Sequence, residues 1–352
     1  MSVPTPLPVT FLPLGAIIQS FMLGGRNLVL GFPQQWHYHS IKHPYFGETI
    51  GRIPNRLSDG KIHNLNGRDY DFAKNEGQTT TLHGGVEGWG KKIWDGPQVR
   101  YRNGREVIQF ILRSPSGDEG FPGQVDARVW YGIERRLDGA ADGRGNEEVI
   151  LDIEYEVEMT GNESDIIETV CAMTNHSYWN LADAPTVAGT EVTFWTNLHL
   201  ELDEKFIPTG VATPLQGVEA GKPILFTETG PAIDQCFVLD TDTGSVPLDT
   251  RARPLRKCVS MYHAGTKTHL DVETTEPSFQ FYSGDGIDVA EIPGGKGVEG
   301  APEVPRRGPR SGIAVEPNRY VNAVNRPEWR SLVLLKRGQL WGCRNRFTVC
   351  RD

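Results

Sequence analysis

Apolar and polar side chains alternate along much of this chain, and that period of two predicts β-strands rather than helices. The clearest alternation pairs an apolar series with an acidic one: Val149, Leu151, Ile153, Tyr155, Val157 and Met159 against Ile150, Asp152, Glu154, Glu156 and Glu158. Successive side chains of a strand point to opposite faces of its sheet. We therefore expect a strand with one face on a core and a second face that is acidic and solvated.

Further strands are predicted wherever β-branched and aromatic residues alternate between turn signals. These stretches are 15–21, 107–113, 125–133, 166–173, 192–202, 234–239, 270–273, 279–282, 331–335 and 346–349. Asn66-Gly67 within 61–70 indicates a hairpin, and Gly24-Gly25-Arg26-Asn27 joins two early strands. Loops are predicted at 34–44, 114–123 and 208–210, an exposed hairpin tip at 137–146, and a mobile basic loop at 292–311.

The pattern lacks any long run of helical period, and the 40 glycines and 24 prolines are spread along all 352 residues. Such punctuation favours many short elements and turns. The expected fold is therefore all-β, a large antiparallel β-sandwich with few short helices. We expect residues 1–352 to form a single domain.

Charge and cysteine usage exclude several classes of protein. A formal net charge of −9 and a pI near 5.6 argue against a nucleic-acid or anionic membrane surface. Five scattered cysteines without a C-x-x-C pair indicate neither zinc nor a disulfide framework, so a reducing, cytoplasmic location is expected. The apolar stretch 11–23 is too short to span a membrane, and no basic residue precedes it.

Two short stretches carry candidate acid–base chemistry. His176 lies at the end of a predicted strand within Thr174-Asn175-His176-Ser177-Tyr178, among polar neighbours that are able to fix its ring. Glu316 closes a second apolar run. A histidine held only by local hydrogen bonds would look the same. Brought together across a fold, however, the two side chains would form an acid–base pair.

Other polar residues leave a binding role and a structural role open. Asn55 and Arg56 follow a proline and offer directional donors, but a solvated loop would have the same composition. His83 precedes Gly84, in a position suited to ligand approach or to a tight turn. Trp89 and Trp94 could form a platform for a sugar ring or belong to the hydrophobic core. Asp234 could contact a ligand or cap a turn. His37, His39 and His43 lack further ligands, so no metal is expected.

Taken in order, these stretches resemble the aldose 1-epimerase family, also called galactose mutarotase. The matching segments are 51–56, 82–85 with Gly88 and Trp94, 117–123, 174–181, 208–210, 234–239, 279–284 and 312–316. The resemblance covers nearly the whole chain. It implies a galactose mutarotase-like supersandwich and interconversion of the α and β anomers of free aldohexoses such as glucose and galactose, without a cofactor.

The resemblance also implies roles for individual residues. His176 corresponds to the general acid and Glu316 to the general base. The positions that correspond to sugar-binding residues are Asn55, Arg56, His83, Tyr178, Asp234 and Gln280. The chain departs from the family pattern after Asp234, at Trp179 and after Glu316, which affects the shape of the pocket and so the preferred sugar.

Two alternative functions remain at this stage. The basic residues Arg306, Arg307 and Arg310 suggest a hexose-6-phosphate 1-epimerase as one alternative, because such an enzyme needs positive charge to bind phosphate. A non-catalytic carbohydrate-binding β-sandwich would use the same polar residues only to hold ligand. In either case the expected partner is a small-molecule sugar, with no nucleic acid and no membrane, bound by a monomer or homodimer.

Overall fold

The computed structural model of the protein describes residues 7–137, 147–295 and 302–352. Most of the predicted hairpin tip at 137–146 and the middle of the predicted loop at 292–311 lie outside the described residues. The loop's flanks are paired, because Val289 bridges Arg307 and Ile292 bridges Val304.

Short strands with turns between them make up the described chain, as the glycine and proline distribution predicted. In chain order they are β1 Val9–Leu12, β2 Ile17–Leu23, β3 Arg26–Asn27, β4 Thr49–Ile50, β5 Arg56–Leu57, β6 Lys61–Leu65, β7 Arg68–Asp71, β8 Thr81–Leu82, β9 Asp95–Arg102, β10 Arg105–Ser114, β11 Val125–Leu137, β12 Glu147–Met159, β13 Glu168–Val170, β14 Thr174–Asn175, β15 Tyr178–Trp179, β16 Thr190–Phe194, β17 Leu198–Leu202, β18 Pro208–Pro214, β19 Pro223–Leu225, β20 Asp234–Val238, β21 Arg256–His263, β22 Thr268–Thr274, β23 Ser278–Tyr282, β24 Ile313–Asn318, β25 Leu334–Lys336 and β26 Leu340–Arg351.

The helices are all short. The α-helix α1 spans His37–Ser40, and the 3-10 turns are Ser58–Gly60, Trp89–Lys91, Asp118–Gly120, Thr243–Ser245, Ala323–Asn325 and Arg330–Leu332. The described residues include no helix of the length and hydrophobicity needed to cross a membrane.

Two antiparallel sheets form the sandwich. The nine-stranded sheet has the order β19-β16-β21-β22-β26-β12-β11-β10-β9, and the six-stranded sheet has the order β15-β24-β23-β20-β17-β18. Small two-stranded sheets, including β14-β4 and β5-β8, lie outside these layers. The predicted all-β antiparallel sandwich with few short helices is confirmed.

Aromatic side chains from the inner faces join the two sheets. Phe194 of β16 stacks on Phe237 of β20 with ring centroids 4.6 Å apart, and it meets Phe281 of β23 edge-on at 4.7 Å. Trp179 of β15 stacks on Phe347 of β26 at 5.4 Å. Each of these rings removes a large apolar area from water, which makes this layer the main hydrophobic core.

Several predicted segments differ from the structure because tertiary pairing overrides a local pattern. The run 192–202 is two strands, since β16 belongs to the nine-stranded sheet and β17 to the six-stranded sheet. Pro208 to Gly210 begin a strand at the edge of the sheet, where a proline needs no ladder hydrogen bond. The predicted loop 34–44 contains α1, and only Glu168–Val170 of 166–173 is a strand.

The acidic face of β12 is an ion-pair ladder rather than a solvated row. Asp152 contacts Arg105 at 2.6 Å and Arg346 at 2.7 Å, and the carboxylate side chain is 15 % exposed. Glu154 contacts Arg102 at 2.5 Å. Basic residues of other strands in the same sheet therefore cover carboxylates that the sequence alone presents as free.

A buried arginine ties the loop 114–123 to the segment before β5. Arg52 is 1 % exposed, and its Nη1 donates to the carbonyl oxygens of Pro122 at 3.0 Å and Gly123 at 2.8 Å. Its Nη2 donates to Ser114 Oγ at 2.6 Å. Burial lowers the pKa of Arg52 to about 10. The guanidinium thus acts as a structural hub whose acceptors are mainly neutral oxygens.

We predict that Arg52→Met lowers the free energy of unfolding by roughly 3–5 kcal/mol, because buried acceptors lose their donor. Denaturant titration measures the difference. Arg306→Met is a matched control, since the side chains of Arg306 and its partner Asp288 are 66 % and 75 % exposed. An exposed ion pair contributes only about 0–1 kcal/mol. A loss in Arg52→Met no larger than that in the control would contradict the hub role.

Candidate active site

Adjacent strands of the six-stranded sheet bring four polar side chains together. Gln280 of β23 pairs with Glu316 of β24, and on its other side with Cys236 of β20. One row along, Asp234 pairs with Tyr282. Because side chains two residues apart share a face, Asp234, Gln280, Tyr282 and Glu316 all face one side of the sheet.

The opposite face of the same strands is apolar. Phe279, Phe281, Ile313 and Val315 alternate with the polar residues and belong to the main core. The alternation therefore divides each strand between packing and chemistry. The polar face is closed at one end by β15, where Tyr178 pairs with Ala314 of β24.

The β5-β8 pair supplies a second group of polar residues. Arg56 of β5 is opposite Leu82 of β8, so Asn55 and His83 lie side by side at the strand ends. The Asn55 backbone N–H donates to His83 Nδ1 at 3.2 Å, and the His83 N–H donates to the Asn55 carbonyl oxygen at 3.0 Å. Accepting at Nδ1 leaves the neutral His83 ring with its proton on Nε2. Burial lowers the pKa of His83 well below its ordinary value.

Gly84 has a packing role rather than a ligand-binding role. It has φ +82°, and a Cβ there would lie 2.1 Å from the carbonyl oxygen of Gly51. Only glycine permits this approach. The glycines after His83 thus fix β8 against 51–56, which orients the histidine. Trp89 and Trp94 are buried, so both belong to the core rather than to a sugar platform.

His176 occupies the corner between β14 and β15. Its backbone N–H donates to the carbonyl oxygen of Glu48 at 2.9 Å, and its carbonyl oxygen accepts from Gly47 N–H at 3.0 Å. Asn175 Nδ2 donates to the Gly47 carbonyl oxygen at 2.9 Å. The polar neighbours therefore fix the backbone of the corner and not the imidazole, whose Nδ1 has no hydrogen-bond partner among the described residues.

Aromatic rings hold the imidazole instead. The His176 ring lies 4.9 Å from the ring of Tyr178, 5.2 Å from that of His83 and 5.8 Å from that of Tyr45, measured between centroids. Tyr45 also meets His83 edge-on at 4.5 Å. Packing thus restricts the ring while its Nε2 faces the polar side of the sheet.

All eight site residues predicted from sequence line one cavity of about 260 Å³. They are Asn55, Arg56, His83, His176, Tyr178, Asp234, Gln280 and Glu316. Typical pockets for drug-sized ligands measure about 300–1,000 Å³. The space therefore suits one small polar molecule.

The cavity also contains residues that were not predicted: Pro44, Tyr45, Glu76, Leu82 and Tyr282. Tyr282 had a signal, because it alternates with Phe281 in the strand that carries Gln280. No sequence pattern indicates Glu76, since it lies in a turn and reaches the site only because the turn folds back onto Arg56. Arg56 Nε and Nη2 each donate to a Glu76 carboxylate oxygen at 2.7 Å.

His176 and Glu316 form the chemical centre of the cavity, with Nε2 and Oε1 3.4 Å apart. Their side chains are 6 % and 5 % exposed. Burial lowers the pKa of His176 to about 3, and burial followed by repulsion from Asp234 raises the pKa of Glu316 well above its ordinary value. Arg56 opposes the shift of Glu316. Both shifts have burial as their main cause, so the surroundings favour the neutral form of each side chain.

The basic residues considered for phosphate binding lie outside this cavity. Arg310 is buried and donates to Asp285 at 2.9 Å, Arg306 contacts Asp288 at 2.9 Å, and Arg306, Arg307 and Arg310 are absent from the described lining of the cavity. Residues 7–137, 147–295 and 302–352 contain no group of three or more His, Cys, Asp or Glu side chains arranged to hold a metal ion.

Comparisons with known proteins identify the family of the chain and agree with its fold. The family model for aldose 1-epimerase matches residues 4–348. The bifunctional protein gal10 of Schizosaccharomyces pombe is 35 % identical over 347 residues, which are 97 % of this chain and 44 % of that protein. The chain therefore spans less than half the length of this relative.

A relative of similar length and a solved structure give the same picture. Galactose mutarotase of Sus scrofa is 35 % identical over 317 residues, 89 % of this chain and 81 % of that protein. A GalM/aldose epimerase homologue from C. elegans superimposes with a TM-score of 0.75 at 22 % identity, covering 97 % of this chain and 95 % of the other. That structure supports the fold.

We predict that the buried imidazole of His176 makes the fold sensitive to acid. The unfolded histidine titrates near pH ~6.5, whereas the folded pKa is about 3, so the unfolded state binds more protons in between and stability falls as the pH drops. Between pH 7 and pH 5 the wild type should lose about 2 kcal/mol more than His176→Asn. Urea titrations at both pH values measure this.

His63→Asn is the control, because that side chain is 60 % exposed and should follow the wild type. Equal pH dependence of His176→Asn and the wild type would contradict the buried neutral histidine.

Proposed function

The chain belongs to the aldose 1-epimerase family, and we propose that it interconverts the α and β anomers of free aldohexoses such as glucose and galactose. The observation that carries the proposal is the buried His176–Glu316 pair, 3.4 Å apart inside a small polar cavity. In a cyclic sugar the anomeric hydroxyl and the ring oxygen are bonded to the same carbon. One acid and one base side by side are therefore enough to act on both.

The proposed reaction begins with Glu316 as a carboxylate and His176 as an imidazolium. Glu316 removes the proton of the C1 hydroxyl while His176 gives a proton to the ring oxygen, and the bond between C1 and the ring oxygen breaks. The products are an open-chain aldehyde, a protonated Glu316 and a neutral His176. After rotation about the C1–C2 bond, closure on the other face of the carbonyl carbon returns both protons and yields the other anomer.

The electrostatics of the site support this cycle. Burial favours the state in which Glu316 is protonated and His176 is neutral, and this is the state that exists after ring opening. The ionic state that starts the reaction differs from it by one proton transfer between the two side chains. Both states hold one shared proton. The charge of Arg56 lowers the pKa of Glu316 and so favours the carboxylate that starts the reaction. Acid–base catalysis needs this matching of proton affinities.

The other lining residues suit the hydroxyl groups of a sugar. Gln280 Nε2 donates to Asp234 Oδ1 at 2.5 Å, so these two side chains form a linked donor and acceptor. His83 offers an Nε2–H, and Tyr178 and Asn55 add polar atoms at the wall. We propose that Asn55, Arg56, His83, Tyr178, Asp234 and Gln280 orient the ring over the catalytic pair.

The alternative functions have less support. The described lining contains one cation, Arg56, against Glu76, Asp234 and Glu316, which is unfavourable for a phosphorylated sugar. A module that only binds sugar has no need of a buried histidine and carboxyl group that share a proton. We also propose a reducing, cytoplasmic setting and a monomer or homodimer, formed by a single catalytic domain. The five cysteine thiols are all free, which supports the setting.

We predict that Glu316→Gln and His176→Asn each reduce the catalysed rate by about 10²–10⁴-fold, since each removes one partner of the proton exchange. Polarimetry of freshly dissolved α-D-glucose and α-D-galactose measures the approach to anomeric equilibrium. Glu191→Gln, a change of the same kind at an exposed position of β16 outside the cavity lining, should retain the wild-type rate.

Wild-type rates in either site variant would remove that residue from the chemistry. Sugar binding without any acceleration by the wild-type protein would favour the non-catalytic module.

A further inference from the structure

We propose that Glu76 is the specificity-determining residue that restricts this cavity to uncharged sugars, by occupying the edge of the Arg56 guanidinium that would otherwise bind an anionic group. The inference rests on the proposed epimerase function and names the class of sugar that the site accepts and the class that it rejects.

The pair has the geometry of a bidentate fork. Arg56 Nε donates to Glu76 Oε2 and Arg56 Nη2 to Glu76 Oε1, each at 2.7 Å. Two parallel charge-assisted hydrogen bonds of this kind are the strongest that an arginine makes to a carboxylate. They use the same edge of the guanidinium that would bind a phosphate or a sugar carboxylate.

Other contacts hold both partners in place. Thr80 Oγ1 donates to Glu76 Oε2 at 2.9 Å, and the Thr80 backbone N–H donates to the Glu76 carbonyl oxygen at 3.2 Å. The Arg56 guanidinium lies over the ring of Phe206, with Cζ 4.9 Å from the ring centroid. The fork is thus fixed from the carboxylate side by a turn and from the guanidinium side by an aromatic ring.

The charge balance of the cavity determines how the Arg56–Glu76 pair affects the binding of an anionic substrate. Arg56 is the one cation among the described lining residues, and Glu76 is one of three carboxyl groups there, with Asp234 and Glu316. Because Glu76 occupies the bidentate edge of Arg56, an anionic substrate finds no free guanidinium edge and meets further acidic groups. A sugar phosphate or sugar acid would have to displace Glu76 from the fork or remain unpaired, and both are unfavourable.

An uncharged sugar gains from the same arrangement. Sugar hydroxyls both donate and accept hydrogen bonds. The fork leaves Arg56 Nη1, which lies 3.5 Å from Asn55 Oδ1, as the least committed donor, next to the carboxylate oxygens of Glu76 as acceptors. The neutral ion pair therefore presents a donor and an acceptor together, a combination that suits neighbouring hydroxyl groups.

The test compares α-D-glucose with α-D-glucose 6-phosphate in wild type, Glu76→Gln, Glu76→Asp and Glu87→Gln. Glu87→Gln removes the same charge from an exposed residue of the neighbouring cleft, outside the described lining of the cavity. Anomer-exchange NMR at equilibrium gives kcat/KM for each sugar, and isothermal titration gives the two affinities independently of turnover.

In Glu76→Gln the preference for glucose over glucose 6-phosphate should fall by about tenfold or more, because a charged Arg56 fork becomes free to bind phosphate. Glu76→Asp keeps the negative charge and should keep the preference within about threefold, with a higher KM for glucose. Glu87→Gln should match the wild type.

An unchanged preference in Glu76→Gln, in both rates and affinities, would overturn the role of Glu76. An equal drop in Glu87→Gln would also overturn it, because general charge rather than the fork would then be responsible. Failure of the wild type to accelerate glucose interconversion would instead count against the proposed function. The affinity ratio would still decide the role of Glu76.

Discussion

The burial of one histidine against one carboxyl group is the constraint on which this site depends. A charged group that leaves water without compensation is costly, so His176 and Glu316 can be buried together only as two neutral groups or as a close ion pair. Their 3.4 Å separation satisfies that condition. Other residues of the cavity act on the two side chains. Aromatic rings restrict the imidazole of His176, and the charge of Arg56 favours the carboxylate form of Glu316.

The antiparallel sheet positions this pair through its register. Gln280 and Glu316 are directly opposite each other on β23 and β24, while Phe281 and Val315 are opposite each other on the core face. A slip of one residue would exchange the faces, burying the carboxyl group in the core and exposing the aromatic ring to the cavity. The same alternation that stabilises the sandwich therefore fixes the chemistry. Packing and function are coupled in these strands.

Much of the fold and the site follows from sequence, because alternation is a local property. The strand 149–159, the hairpin 61–70 and the polar positions Gln280 and Glu316 within apolar runs are all visible without a structure. The eight residues implied by the family resemblance line one cavity. The split of 192–202 between two sheets is not visible, since both halves alternate equally well and only long-range pairing separates them.

Long-range side-chain contacts are the other part that sequence cannot give. Glu76 reaches the cavity only because its turn folds onto Arg56, and the acidic row of β12 becomes an ion-pair ladder only because Arg105 and Arg346 come from other strands. The polar neighbours of His176 suggest a hydrogen-bonded ring, yet Asn175 fixes the backbone and aromatic rings hold the imidazole. In the first two cases the decisive partner is distant in the chain, and the His176 ring contacts the distant rings of His83 and Tyr45 as well as that of Tyr178.

The most direct test of the central claim is a double-mutant cycle on His176 and Glu316. Anomer-exchange NMR would give the catalysed rates of wild type, His176→Asn, Glu316→Gln and the double variant. If the two residues exchange one shared proton, the double variant is no slower than the slower single variant, because either change already ends the exchange. Losses that multiply in the double variant would show two independent groups and contradict the account.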